Sequence, residues 1–150
     1  MISRKVLILP RIFLGIIFSV AAYSKIVSGS FPSHLGAFLA QMLPNASGWY
    51  QAFAHAIVIP NVTVVAVLVM VGETFVGIAM ILGLTTRLAA AVAVLLLFNY
   101  MLAKGMTPWS PASNDAADIV LAIVVGFGAA GRLWGVDAVL QQRYPRIPLW

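Results

Sequence analysis

The sequence predicts an all-α integral membrane protein, a four-helix bundle with short interfacial helices between the first and second spans. Three observations carry this reading. Apolar runs of membrane-crossing length alternate with short polar turns along the whole chain. Of 150 residues, 62% are hydrophobic and 9% charged, with a mean hydropathy of +1.01. A soluble domain averages about 25% charged and about 45–50% apolar residues, so a water-soluble core of this size cannot hide the excess. Finally, the run 62–87, VTVVAVLVMVGETFVGIAMILGLTTR, carries one carboxylate, Glu73, near its middle, stops at Gly83 and restarts at Arg87 as a second apolar helix. An acid at that depth costs about 2.5–3.5 kcal/mol on insertion scales, which the surrounding valines, leucines and isoleucines offset. Glu73 therefore needs a partner or a proton.

The elements follow in order. Residues 6–26 form the first span behind a basic start, with Pro10 in its first turns, where a missing N–H is tolerated. A signal peptide shares this pattern, but Arg11 interrupts the apolar region, so the segment is expected to be retained. Between 27 and 60 the chain is too apolar for a free loop. Leu35, Phe38, Leu39, Met42 and Leu43 recur at helical spacing opposite Ser33, Ala37 and Gln41, which predicts a short interfacial helix. Residues 44–48, PNASG, form a turn, and 49–59 form a second short helix anchored by Trp49 and Tyr50. The second span covers about 61–84 and the third about 86–103, joined by a tight hairpin with Gly83 as left-handed C-cap and Thr85 or Thr86 as N-cap. Residues 104–113 are a polar turn, 114–131 the fourth span and 132–150 an amphipathic cytoplasmic tail. Ala89 with Ala93, and Ala122 with Gly126, form small-xxx-small pairs that permit close helix approach. The whole chain, 1–150, reads as a single transmembrane domain.

The basic residues orient it. With both termini cytoplasmic, Arg4, Lys5, Arg11, Arg87, Arg132, Arg143 and Arg146 lie on or near the inside, and Lys25 and Lys104 outside. These scattered cations form no nucleic-acid patch, despite the formal charge of +5. The absence of cysteine excludes disulfides, CxxC chemistry and thiolate-ligated metal.

Depth and direction choose the partner of Glu73. It lies about 16 Å from the inner end of its helix, and Arg11 about 7 Å from the same side. Side chains lean toward their helix N-terminus, so Arg11 leans inward, and is expected to snorkel, while Glu73 leans outward. Lys25 leans back from the outer rim and is the preferred partner. Lys25, His55, Asn99, Asp115 and Asp118 all fall near the outer ends of their elements, where four closing helices would make a polar pocket. Each also has a plain structural role open to it: first-turn carboxylates for Asp115 and Asp118, interhelical hydrogen bonding for Asn99, and an interfacial side chain for His55 and His34.

These residues bring a family into view. Arg11-x-x-x-Gly15 with Phe18 and Lys25, Glu73-x-x-x-Gly77, Gly83-Leu84-Thr85-Thr86-Arg87, and Asp118 opening the last span resemble the DoxX family of small four-helix bacterial membrane proteins. That family includes the DoxD-like subunits of thiosulfate:quinone oxidoreductase. The resemblance covers about residues 10–133, and Ala22 stands where the family often has glycine. It implies a multi-pass protein of the bacterial cytoplasmic membrane, acting as a subunit of a redox complex. On this reading Glu73 and Lys25 do the proton chemistry, and His55, Asn99 and Asp118 contact a quinone near the outer leaflet. The chain shows no electron carrier of its own, having no cysteine, no nucleotide-binding glycine motif and two histidines poorly placed for haem. It is at most a membrane subunit of a quinone-linked oxidoreductase, with the redox centre in a partner. The alternative is a non-catalytic accessory subunit of a larger respiratory or photosynthetic assembly, holding lipid or pigment with His34 or His55. A transporter is disfavoured because no broken helices or inverted repeat are visible.

Overall fold

Glycine and proline punctuate the chain into helices, and the apolar stripes decide how those helices pack. The structure, a computed structural model, describes residues 4–111 and 113–146, so the first three and last four residues of the expected basic start and tail lie outside it. The described elements are a 3-10 turn (Arg4–Leu7), α1 (Ile8–Ser28), α2 (Phe31–Met42), a 3-10 turn (Leu43–Asn45), α3 (Gly48–Phe53), a π-helical turn (Ala54–Val58), α4 (Val62–Leu82), α5 (Thr86–Ala103), α6 (Asp115–Phe127), a 3-10 turn (Ala130–Arg132) and α7 (Val136–Arg143).

Two faces divide α1. Leu9, Phe13, Ile16, Val20, Tyr23 and Val27 are exposed, while Arg11, Leu14, Gly15, Phe18 and Ala22 are buried. Steps of three and four residues keep each set on one side of the helix, and in a bilayer the exposed apolar side faces lipid. α1 packs on α4, α4 on α5, α5 on α6, and α6 returns to α1, closing a ring around Leu14, Phe18, Val76, Met80, Ala93, Ala122 and Val125.

The α1–α4 crossing explains the glycine one turn after each charged residue. A Cβ on Gly77 would come within 2.5 Å of Ser19 Oγ and 2.9 Å of Ser19 N, and one on Gly15 within 2.8 Å of Ile81. Each helix supplies a bare backbone where the other approaches. The small-residue pairs of α5 and α6 work likewise: Ala89, Ala93 and Ala122 are fully buried, and a Cβ on Gly126 would sit 2.8 Å from that of Ala90.

Among the described residues, three helices are long and apolar enough to cross a membrane: Lys5–Ser28, Val62–Leu82 and Thr86–Ala103. The expected fourth span, 114–131, is instead the 13-residue α6 followed by a turn. Its rise of about 20 Å falls short of the roughly 30 Å hydrocarbon core. The helix stops because Ala129 adopts a left-handed conformation (φ 49°), which turns the next carbonyls toward α1.

The short helices cap one end of the ring. Leu39, Leu43, Ala46, Tyr50, Ala54 and Val58 bury themselves against Ala103, Leu102 and Val65, so α2 and α3 seal the end where α4 begins and α5 finishes. At the opposite end, Gly83 (φ 65°) closes α4 as expected. Thr85 sits at the N-cap of α5 but makes no side-chain cap bond. Asp137 does that work from the tail: its carboxylate accepts the Thr85 N–H at 2.6 Å and the Thr86 N–H at 2.9 Å, and its own N–H donates to Gly83 O at 2.8 Å. Two orphan donors of a helix start thus share one fully buried carboxylate.

Candidate functional site

Glu73 sits inside the ring with its side chain 2% exposed, and it is saturated with donors. Lys25 Nζ lies 2.7 Å from Oε1 and 2.8 Å from Oε2, and the Tyr100 hydroxyl donates to Oε1 at 2.8 Å. α1, α4 and α5 each contribute one member. The backward lean of helical side chains brings them together, since Lys25 sits near the end of α1 and reaches down toward the middle of α4. Charge-assisted bonds of this length are about twice as strong as neutral ones.

Lys25 is the open edge of the cluster. Its side chain is 21% exposed, and its ammonium lies 5.3 Å from the centre of the Phe31 ring at the start of α2. That distance falls within cation–π range. Beside it runs a second polar link, in which the Tyr50 hydroxyl donates to Asn99 Oδ1 at 2.8 Å. Burial pushes the Tyr50 phenol above its ordinary range, which keeps it a donor. Asn99 therefore joins α5 to α3 and is next in sequence to Tyr100.

The remaining expected residues are not drawn into this cluster. α3 and its π-helical turn present two stripes. Tyr50, Ala54 and Val58 point inward and are buried, whereas Gln51, His55 and Ile59 line a separate pocket of about 400 Å³ with Gly36, Ala40, Leu43, Pro44 and Val62. His55 is exposed there, and Gln51 Nε2 donates to Ala46 O at 2.8 Å. The Asp118 carboxylate lies on α6 and makes no hydrogen bond among the described residues. Asp115 pairs with Lys104 at 2.6 Å, pinning the ends of the α5–α6 connection. His34 is exposed, with Nδ1 3.3 Å from Ser30 Oγ.

Arg11 departs furthest from expectation. It does not snorkel; it is 2% exposed and donates to Ala130 O at 3.0 Å and Trp134 O at 2.8 Å. The turn that ends α6 supplies those carbonyls, so the guanidinium finds acceptors inside the fold rather than at the headgroups. The residues missed by sequence reasoning are Tyr100, Phe31 and Asp137, and Tyr50, expected beside Trp49 as an interfacial anchor, is instead buried with its hydroxyl on Asn99. Counting as far past the Gly83–Thr86 turn as Glu73 lies before it reaches about residue 96, and the lean of each side chain toward its helix N-terminus shifts the contact one turn on, to Tyr100.

A family model described as TQO small subunit DoxD matches residues 6–148. The chain belongs to the DoxD family. The DoxD match spans the ring, both short helices and α7, and it narrows the broader DoxX-like resemblance. Comparison with curated proteins and with solved structures finds no match. A DoxD chain with three long apolar helices is a multi-pass membrane protein.

Proposed function

We propose that the chain is a membrane subunit of a quinone-linked redox complex, contributing a quinone-facing pocket and a group that holds protons, while a partner subunit carries the electrons. The observation that carries this reading is the Lys25–Glu73–Tyr100 cluster buried in the middle of an apolar ring. Ionisable groups inside a membrane are costly and mark proton or ligand pathways. The family description, small subunit of TQO, supports a place in a larger assembly.

The residues present fit a quinone ring. The α2–α3 pocket offers the His55 imidazole and the Gln51 amide within an otherwise apolar lining, and its volume of about 400 Å³ suits a single planar ring. His55 can donate from one ring nitrogen to a carbonyl oxygen, and Gln51 can orient the opposite edge. When bound, a quinone supplies two-electron, two-proton redox chemistry. Glu73 and Lys25 hold and pass protons, Tyr100 fixes the carboxylate, and Asn99 positions α3 through Tyr50, while Asp118, on α6, stands outside this pocket. We place both termini on the cytoplasmic side of a bacterial inner membrane, with α2 and α3 at the outer surface and α6 together with the Ala130–Arg132 turn making a fourth crossing of one domain. This puts Lys5, Arg11, Arg87 and Arg132 inside.

The test is quinone reduction by the intact complex, purified in mild detergent with its partners. Glu73→Gln is expected to lower turnover at least tenfold with assembly retained, and His55→Ala to raise the quinone KM. Unchanged turnover in an assembled Glu73→Gln complex removes Glu73 from the chemistry. One observation favours a second reading, an accessory subunit: the Glu73 carboxylate already accepts three hydrogen bonds and is closed off from the surface. In that case Glu73→Gln lowers the yield of complex and leaves turnover per assembled complex unchanged.

A further inference from the structure

The end of the ring opposite α2 and α3 carries a groove that the redox reading does not use. It lies between α5 and α6, encloses about 530 Å³, and is lined by Ala90, Ala91 and Val94 on one side and Ala122, Ile123 and Gly126 on the other. Arg87 stands at its α5 end and Phe127, 87% exposed, at the end of α6.

We propose that this groove is a binding site for one anionic phospholipid, its acyl chain lying along Ala91, Val94 and Ile123 and its phosphate at Arg87. Three features select this occupant. α6 ends at Phe127 and the chain turns away over Thr86 through the Ala130–Arg132 turn, so beside Phe127 the Ala91 side of α5 stays exposed. The small residues that let helices approach are already consumed: Ala89, Ala93 and Ala122 are fully buried in the α5–α6 contact, and Gly126 abuts Ala90. What remains open beside them is a slot rimmed by Val94, Ile123 and Phe127, which fits a flexible chain better than another helix.

Charge selects the headgroup. Lys5, Arg87 and Arg132 lie at this end of the ring, where the Ala130–Arg132 turn packs on the start of α1, while Arg11 is buried on the carbonyls of Ala130 and Trp134. The carboxylate among the described residues here is Asp137, fully buried with both oxygens taken by Thr85 and Thr86. Arg87 carries five N–H donors in a planar fork that matches phosphate oxygens.

Native mass spectrometry of the full chain tests the site, after exchange into micelles holding equal phosphatidylglycerol and phosphatidylethanolamine of the same acyl chains. One phosphatidylglycerol is expected to stay with each chain, at least fivefold in preference to phosphatidylethanolamine. Arg87→Gln abolishes the preference. Ala91→Trp, at an exposed position where the ring enters the groove without disturbing the core, removes both lipids and leaves the thermal melt unchanged. Millimolar inorganic phosphate does not displace the lipid, because the acyl chain holds it. Equal retention of the two lipids, retention indifferent to both substitutions, displacement by phosphate, or an Ala91→Cys cross-link to a partner's helix in the purified complex each overturns the proposal.

Discussion

The pair Lys25–Glu73 should behave as one unit, and a double-mutant cycle measures this. Glu73→Leu removes the acceptor of three hydrogen bonds and leaves an ammonium beside an apolar side chain. Breaking a buried ion pair costs about 3–5 kcal/mol. Because Lys25 is 21% exposed, its ammonium can turn toward the surface, so the loss falls at the low end, about 3 kcal/mol. Lys25→Met strands the carboxylate, 2% exposed, with Tyr100 alone, and the loss falls at the upper end, about 5 kcal/mol. The double variant orphans only a tyrosine hydroxyl, about 1–3 kcal/mol, so it is expected to be more stable than either single. The assay is reversible unfolding in mixed micelles, titrated with dodecyl sulfate and followed by helical circular dichroism. A double variant whose loss equals the sum of the singles within about 0.5 kcal/mol refutes the coupling, and with it the view that the pair is stable only as a pair.

Three further substitutions probe contacts elsewhere in the fold. Gly77→Ala drives a Cβ into Ser19 Oγ and backbone N and should cost about 1–3 kcal/mol in the same unfolding assay. Gly72→Ala meets the flexible end of Leu96 at 3.3 Å and Val92 at an ordinary 3.8 Å and should be neutral or slightly stabilising, so the contrast separates helix contact from glycine content. Asp137→Asn replaces one of the two acceptor oxygens with an amine facing an N–H, at a cost of about 1–3 kcal/mol. It should also speed trypsin cleavage at Arg132 and Arg143, and an unchanged cleavage rate would show that Asp137 does not hold the tail.

What the sequence reveals and what it hides follow from chain distance. α5 has its expected bounds because Gly83 and Thr86 mark its start locally, and α2 shows in its own periodicity. The Lys25–Glu73 contact spans 48 residues but was legible, since the lean of side chains on antiparallel helices is a local rule with long-range consequences. Asp137 and the acceptors of Arg11 were not. Nothing within one helical turn of Thr85 shows that a carboxylate 52 residues away will cap it. The side on which His55 lies was hidden for a different reason. Position along an element places it at the right end, but only the rotation of α3 about its axis, set by Tyr50 and Ala54 packing inward, decides which side it faces.

Arg11 and its acceptors also impose a timetable on synthesis. The carbonyls that receive its guanidinium belong to residues made 119 and 123 positions later. At about 5–20 residues per second, the first helix waits roughly 6–25 s for them. During that interval α1 carries a bare cation, so its early resting place in the membrane is shallower than its final one. The first span to leave the ribosome therefore settles last, and a chain released before Trp134 would hold an arginine with nowhere to go.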